Sequence, residues 1–281
     1  MMAEKASKIA LGTVQFGTDY GVSNREGQTD AREVERILDT ALEFGIDLID
    51  TASAYGNAEQ VLGRYDLSSF KVVSKFMPPP EGAAIAGQLG TTLSNLRVDS
   101  LYGYLAHRPD DLLENEERWQ ELVSLKYDGR VEKIGFSLDA PLQLKQLLSR
   151  DYMPDIVQVP YNFLDRRFYS SLNELKMLGC EIHARSVFLQ GLLLMAPEET
   201  EEYFKPVKPT LIELQKLGNQ RPSALLDFVV STHLIDRAVI GVENSEQLRQ
   251  NLNGSGTRNL LPKLESEIPE EVLMPKMWPI P

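Results

Sequence analysis

A single cysteine, Cys180, stands in 281 residues, so no disulfide can form within the chain. Histidine is almost as scarce: there are three, too few and too scattered for a metal-binding cluster. Basic charge is the minority, with 29 Lys and Arg against 41 Asp and Glu and a formal net charge of -12. That balance excludes a general nucleic-acid binder, which needs a basic face to neutralise phosphates. Long apolar runs are missing too. The longest, near residues 187–195 and 225–230, are far too short to cross a bilayer. The opening MMAEKASKIALG lacks the apolar core of a signal peptide. These absences point to a cytoplasmic, metal-free protein whose partner is neither nucleic acid nor membrane.

What is present is ordinary in bulk, 42% hydrophobic and 25% charged, and informative in order. The stretch IDLIDTASAYGNAEQVLG, residues 46–63, begins with an apolar run too short for a helix, placed after Gly45, which reads as a buried strand. Asp50 falls at its end, and Tyr55 lies five residues on, in a loop of small residues. Asn57 and Gln60 have the spacing of a capping box for a helix carrying Val61 and Leu62. Around this unit, strands are expected at 8–14, 70–75, 100–106, 131–137, 155–159, 180–186 and 237–241. Helices are expected between them. The first is boxed by Asp30 and Glu33, carries Val34, Ile37, Leu38, Ala41 and Leu42 at helical spacing, and stops at Gly45. Another opens on Pro141, and the last is capped by Ser245. A long excursion over 187–208 breaks the rhythm. Eight strand–helix pairs with no composition break predict one (β/α)8 barrel domain over 1–281, with a Pro-rich tail from about 262; the typical size of that fold is about 250 residues. A doubly wound open sheet is the runner-up, but residues 12–17, GTVQFG, do not supply its G-x-G-x-x-G turn.

The polar residues at the carboxyl ends of these strands are Asp50, Lys75, His107, Ser137, Gln158 and Ser186, joined by Gly241, with Tyr55 just past the second strand. Each has a plain structural reading: Lys75 a solvated strand end, His107 a core histidine, Gln158 a buried amide. In a barrel, however, all surround one mouth, where this fold builds its active sites. A lysine ammonium beside a phenol favours the phenolate, and a carboxylate keeps that lysine charged. A phenol so placed can protonate a carbonyl oxygen as negative charge develops on it, and His107 can add a second hydrogen bond. The set suits carbonyl reduction by hydride. No side chain is a hydride donor, so a nicotinamide cofactor is implied.

On these residues the chain resembles the aldo-keto reductase superfamily, barrel enzymes that bind nicotinamide cofactors without a dinucleotide fold. The likeness runs from about Ile9 to Leu252 through LGTVQFG, DTASAYGNAEQVLG, VVSKF, YLAHRPDD, IGFS, QVPYN, ARSVFLQGLL and GVENSEQLRQNL. It implies that Tyr55 is the general acid, that Lys75 supports it, that Asp50 anchors Lys75 and that His107 orients the carbonyl. It implies further that Ser137 and Gln158 hold the nicotinamide carboxamide, that Ser186 lies near the pyrophosphate, and that Gln250 and Asn251 meet the adenine.

Three departures stand out. Leu138 replaces an asparagine after the fifth strand, Arg185 stands where an aromatic usually stacks on the nicotinamide, and Gly241, Val242 and Gln247 replace the basic pair that grips the adenosine phosphate. Arg249, Lys205 and Lys208 are the nearest bases that could compensate. Weighed with the family's habit, they make NADP(H) the expected cofactor over NAD(H). The substrate is expected to be a small carbonyl compound, sugar-derived among the options, in a pocket shaped by Asp19, Tyr20, Phe163, the excursion and Trp278. Two other readings stay open: an aldolase-type lyase forming a Schiff base on Lys75, and a nicotinamide-binding regulatory subunit. Oligomeric state is not legible.

Overall fold

The computed structural model describes residues 5–253, 257–264 and 267–279. Eight parallel strands, β1 (Ile9–Gly12), β2 (Leu48–Asp50), β3 (Lys71–Phe76), β4 (Leu101–Ala106), β5 (Val131–Ser137), β6 (Ile156–Pro160), β7 (Glu181–Arg185) and β8 (Arg237–Gly241), pair in sequence order. β8 returns to β1, with Gly241 opposite Gly12, and closes the barrel. Each strand is followed by a helix: α1 (Ala31–Phe44), α2 (Ala58–Leu62), α3 (Ile85–Leu96), α4 (Glu116–Tyr127), α5 (Pro141–Leu148), α6 (Tyr169–Met177), α7 (Arg221–Val230) and α8 (Ser245–Leu252). Among the described residues no helix is long and apolar enough to cross a membrane.

Strand alternation explains where the polar residues go. Ala10, Leu48, Val73, Leu105, Ile156 and Val239 form a small apolar cluster of their own, the filling of the barrel lumen. Successive side chains on a strand point to opposite faces, so residues two apart share a face. Two steps on from Leu48, Val73, Leu105, Ile156 and Val239 stand Asp50, Lys75, His107, Gln158 and Gly241. The polar set is therefore the next layer up on the same inner face, at the carboxyl mouth. The opposite faces pack against the helices as the main core, with Val34, Ile37, Leu38 and Ala41 of α1 inside it.

Local rules hold for some ends and fail at others. Asp30 caps α1 by accepting from Arg32 and Glu33 N–H, and Gly45 ends it at φ 81°. Leu42, expected on the apolar face, lies at its rim and is exposed. The first strand is shorter than 8–14 because residues 14–16 turn into a 3-10 helix. Asn57 makes no capping bond to α2; its Oδ1 accepts from Gln28 Nε2 at 2.8 Å instead. The cap of α8 is Asn244 rather than Ser245, its side chain accepting from Gln247 N–H. The excursion after β7 folds as three 3-10 segments before the helix Lys208–Gln215.

Candidate active site

The mouth opens into a groove of about 1000 Å³ lined by residues from the ends of β1, β2 and β4–β8, from α8 and from the C-terminal tail. At its floor, Lys75 is completely buried. Its Nζ donates to Asp50 Oδ1 at 2.6 Å, to the Thr51 carbonyl at 2.9 Å and to the Tyr55 hydroxyl at 3.4 Å. Burial opposes the charged ammonium, but Asp50 and Tyr55 outweigh it and hold the Lys75 pKa above its ordinary value. Gln158, also buried, donates from Nε2 to Asp50 Oδ2 at 2.7 Å. Both oxygens of Asp50 are thus fixed, one by the lysine and one by the amide. The expected role of Gln158 toward a cofactor carboxamide has to share its amide with this bond.

The loop that carries Tyr55 is fixed by a close backbone approach. It lies so close to the loop after β1 that a Cβ on Gly17 would sit 1.8 Å from the Tyr55 carbonyl oxygen. A Cβ on Gly56 would sit 2.3 Å from the Gly17 carbonyl oxygen. The His107 ring stands edge-on to Tyr55, with centroids 5.8 Å apart. Burial, with Lys75, Arg185 and Arg108 adding positive potential, pushes the His107 pKa down to about 3. A neutral imidazole whose buried Nδ1 has no hydrogen-bond partner among the described residues therefore faces this pocket.

The depressed value carries a sign. Between about pH 6.5 and pH 3 the unfolded chain binds a proton at His107 that the folded chain does not, so stability must fall as pH falls through that window. Urea midpoints of the parent and of His107→Gln, measured from pH 7 to pH 4, should converge as the parent loses stability; parallel curves would refute the buried neutral imidazole.

Of the other residues singled out in the sequence, Ser137, Arg185, Ser186, Gly241, Gln247, Gln250 and Asn251 all line the same groove. Phe163 and Trp278 do not: Phe163 packs edge-on against Phe228, and Trp278 against Phe204 with centroids 4.7 Å apart, both inside the core. Arg185 is the most constrained. It donates to the Leu138 carbonyl at 3.0 Å and to Ser186 Oγ at 3.2 Å, and it pairs with Asp139. Asp139 also pairs with Lys276 of the tail at 2.8 Å. No motif marks Asp139, whose partners come from β7 and the tail. Tyr20, expected in the pocket, does line the groove, as does Gln190 of the excursion; Gln15 lines it as well and was not singled out. Gln15 lies in the 3-10 turn after β1, where no motif marks it.

The residues fit a nicotinamide dinucleotide. The groove is long, begins at a buried acid–base set and ends at α8. Buried Gln15 Oε1 and Arg185 Nε, on groove-lining residues, have no hydrogen-bond partner among the described residues. Among the described residues no group of three or more His, Cys, Asp or Glu could hold a metal.

A closed parallel barrel with its polar groups gathered at the carboxyl mouth defines a barrel enzyme. The chain belongs to the aldo/keto reductase family, which it matches over residues 8–263, and it is an NAD(P)-dependent oxidoreductase. Among its relatives, an aldo-keto reductase of Mycobacterium sp. (strain KMS) is 32% identical over 208 residues, 68% of this chain and 74% of that one. Oxidoreductase sirO of Leptosphaeria maculans is 29% identical over 202 residues, which cover 67% of this chain and 61% of sirO. An aldo/keto reductase of Klebsiella pneumoniae, solved with NADP and acetate, superposes with a TM-score of 0.67 at 21% identity, covering 93% of each chain.

Proposed function

We propose that the protein works in the cytoplasm as one barrel domain and reduces an aldehyde or ketone on a small polar molecule to an alcohol. The observation that carries this reading is the buried chain Gln158–Asp50–Lys75–Tyr55, with a neutral His107 beside the phenol. When bound, the nicotinamide supplies the hydride. Tyr55 gives its hydroxyl proton to the carbonyl oxygen as charge builds there. The Lys75 ammonium supports the phenolate that remains. His107, uncharged, donates a hydrogen bond to the same oxygen without adding a competing acid. Ser137 and the free side of Gln158 hold the carboxamide, Arg185 lies at the ring, Ser186 lies near the pyrophosphate, and Gly241, Gln247, Gln250 and Asn251 receive the adenosine. The NADP in the Klebsiella structure supports a dinucleotide in this groove. Arg108, Asp110 and Lys276 on the groove lining suit a polar substrate such as a sugar-derived aldehyde.

A Schiff base on Lys75 would need the free amine, and Asp50 at 2.6 Å holds the ammonium form, so the lyase reading loses its support. The test is a panel of aldehydes, ketones and aldoses followed at the nicotinamide absorbance, with borohydride trapping as the counter-assay. Turnover without a trapped adduct is expected. A covalent adduct at Lys75, or cofactor binding with no turnover of any carbonyl, would overturn the proposal.

Arg185 adds a charge where the oxidised ring is cationic. Its guanidinium is already neutralised by Asp139, whose carboxyl, despite burial, Arg185 and Lys276 hold below its usual range. Asp139→Asn should therefore weaken the oxidised cofactor relative to the reduced one, by a factor of about ten or less given the partial exposure of the pair. Dissociation constants for both forms check this, and an unchanged ratio would count against it.

A further inference from the structure

A dinucleotide with its reactive ring beside Tyr55 and His107 lays its other end toward β8 and α8. The lining there is Gly241, Val242, Glu243, Gln247, Gln250 and Asn251, with no basic side chain among them. The bases of the groove, Arg108, Arg167, Arg185 and Lys276, follow β4 and β6, end β7 or lie in the tail.

A helix N-terminus ordinarily offers free N–H groups to a phosphate. At the start of α8 two of them, those of Ser245 and Gln247, are already taken, as is the N–H of Glu243 just before the helix. Ser245 N–H donates to Glu33 Oε1 at 2.6 Å, Gln247 N–H to Asn244 Oδ1 at 2.9 Å, and Glu243 N–H to Gln247 Oε1 at 2.8 Å. The first of these is the most telling. Burial works against the charge of Glu33, but hydrogen bonds from Ser245 and Arg36 outweigh it and hold its carboxyl below the usual range. A protein carboxylate thus occupies the dipole position that a phosphate would take.

Glu243 adds a second negative group, half-buried on the groove wall. Burial, together with the nearby Glu26 and Asp19 carboxylates, pushes its carboxyl up, as in an acidic pocket without a counter-charge. The bases that the sequence offered as phosphate ligands lie elsewhere. Arg249 donates to Glu43 at 2.7 Å and to Thr40 at 3.3 Å, and Lys205 is exposed and paired with Glu202 at 2.8 Å. Neither these two nor Lys208 is among the groove-lining residues.

We propose that this end of the groove selects an unphosphorylated ribose, so that the enzyme takes NAD(H), with Glu243 accepting hydrogen bonds from the ribose hydroxyls. The proposal rests on the nicotinamide-dependent reading above and reverses the NADP(H) expectation drawn from the sequence. Carboxylate recognition of a ribose diol is the solution that dinucleotide folds use to the same end. Here it arises from the loop after the last barrel strand.

The experiment is a fluorescence titration of the intact protein with NADH and NADPH, repeated with ADP-ribose and its 2′-phosphate to isolate the adenosine end. The parent protein should bind NADH at least about tenfold more tightly than NADPH, with the gap narrowing at high ionic strength as the repulsion is screened. Glu243→Gln should shrink the ratio severalfold through weaker NADH and stronger NADPH binding, and Glu243→Arg should invert it. Tighter binding of NADPH by the parent, or a ratio unmoved in both variants, would overturn the proposal while leaving the nicotinamide-dependent reading intact. Binding of neither nucleotide in the millimolar range would overturn that reading and this one with it.

Discussion

Tyr55→Phe should lower turnover by roughly 10²–10⁴, about 3–5 kcal/mol of transition-state stabilisation, with cofactor affinity nearly unchanged. The substitution removes one oxygen and little else. Lys75 keeps its two stronger partners, Asp50 at 2.6 Å and the Thr51 carbonyl at 2.9 Å, so the buried ammonium stays satisfied and the fold stands. The loss therefore belongs to proton delivery. Single-turnover rates with a reactive aldehyde, alongside the dissociation constant of the reduced cofactor, separate the two quantities. A variant that reduces carbonyls at the parental rate would show that another group, or water, is the acid.

Asp50→Asn should do most of its damage to the fold. Lys75 and Asp50 are both buried, and among the described residues Asp50 is the only carboxylate that the lysine touches. Removing one member of a buried pair leaves an uncompensated charge, which typically costs about 3–5 kcal/mol. The second loss is the anchor of Gln158, whose Nε2 would then face a neutral amide. Urea denaturation should show a lower midpoint with an unchanged slope. Lys75→Met in the Asp50→Asn background removes the stranded ammonium and should recover a large part of the stability while activity stays lost. If the double variant is no more stable than Asp50→Asn alone, the ion-pair account of the single loss is wrong.

How much of this was legible in the sequence depended on how local the signal was. The strands and Asp50, Lys75 and His107 at their ends could be read because alternation and helical spacing are properties of a few consecutive residues. Caps were less legible. Asn57 looked like the start of a capping box, but Gln28, 29 residues away, takes its oxygen. Glu33 looked like the second half of the Asp30 box, but it reaches Ser245 across 212 residues. The same distance hid how the start of α8 is occupied, since nothing near Gly241 announces that Glu33 fills the helix terminus. Phe163 and Trp278 look like pocket aromatics in a string, and only the packing of Phe228 and Phe204 shows them to be core.

The two glycines at positions 17 and 56 carry no functional group, yet each faces the backbone of the opposite loop at a separation that admits no Cβ. How closely two loops some forty residues apart approach, one of them carrying the phenol, is therefore set by what is missing between them. If Tyr55 is the acid proposed above, a side chain at either glycine would disturb the reaction without touching a reactive atom, and a comparison confined to side chains with reactive atoms would overlook both positions.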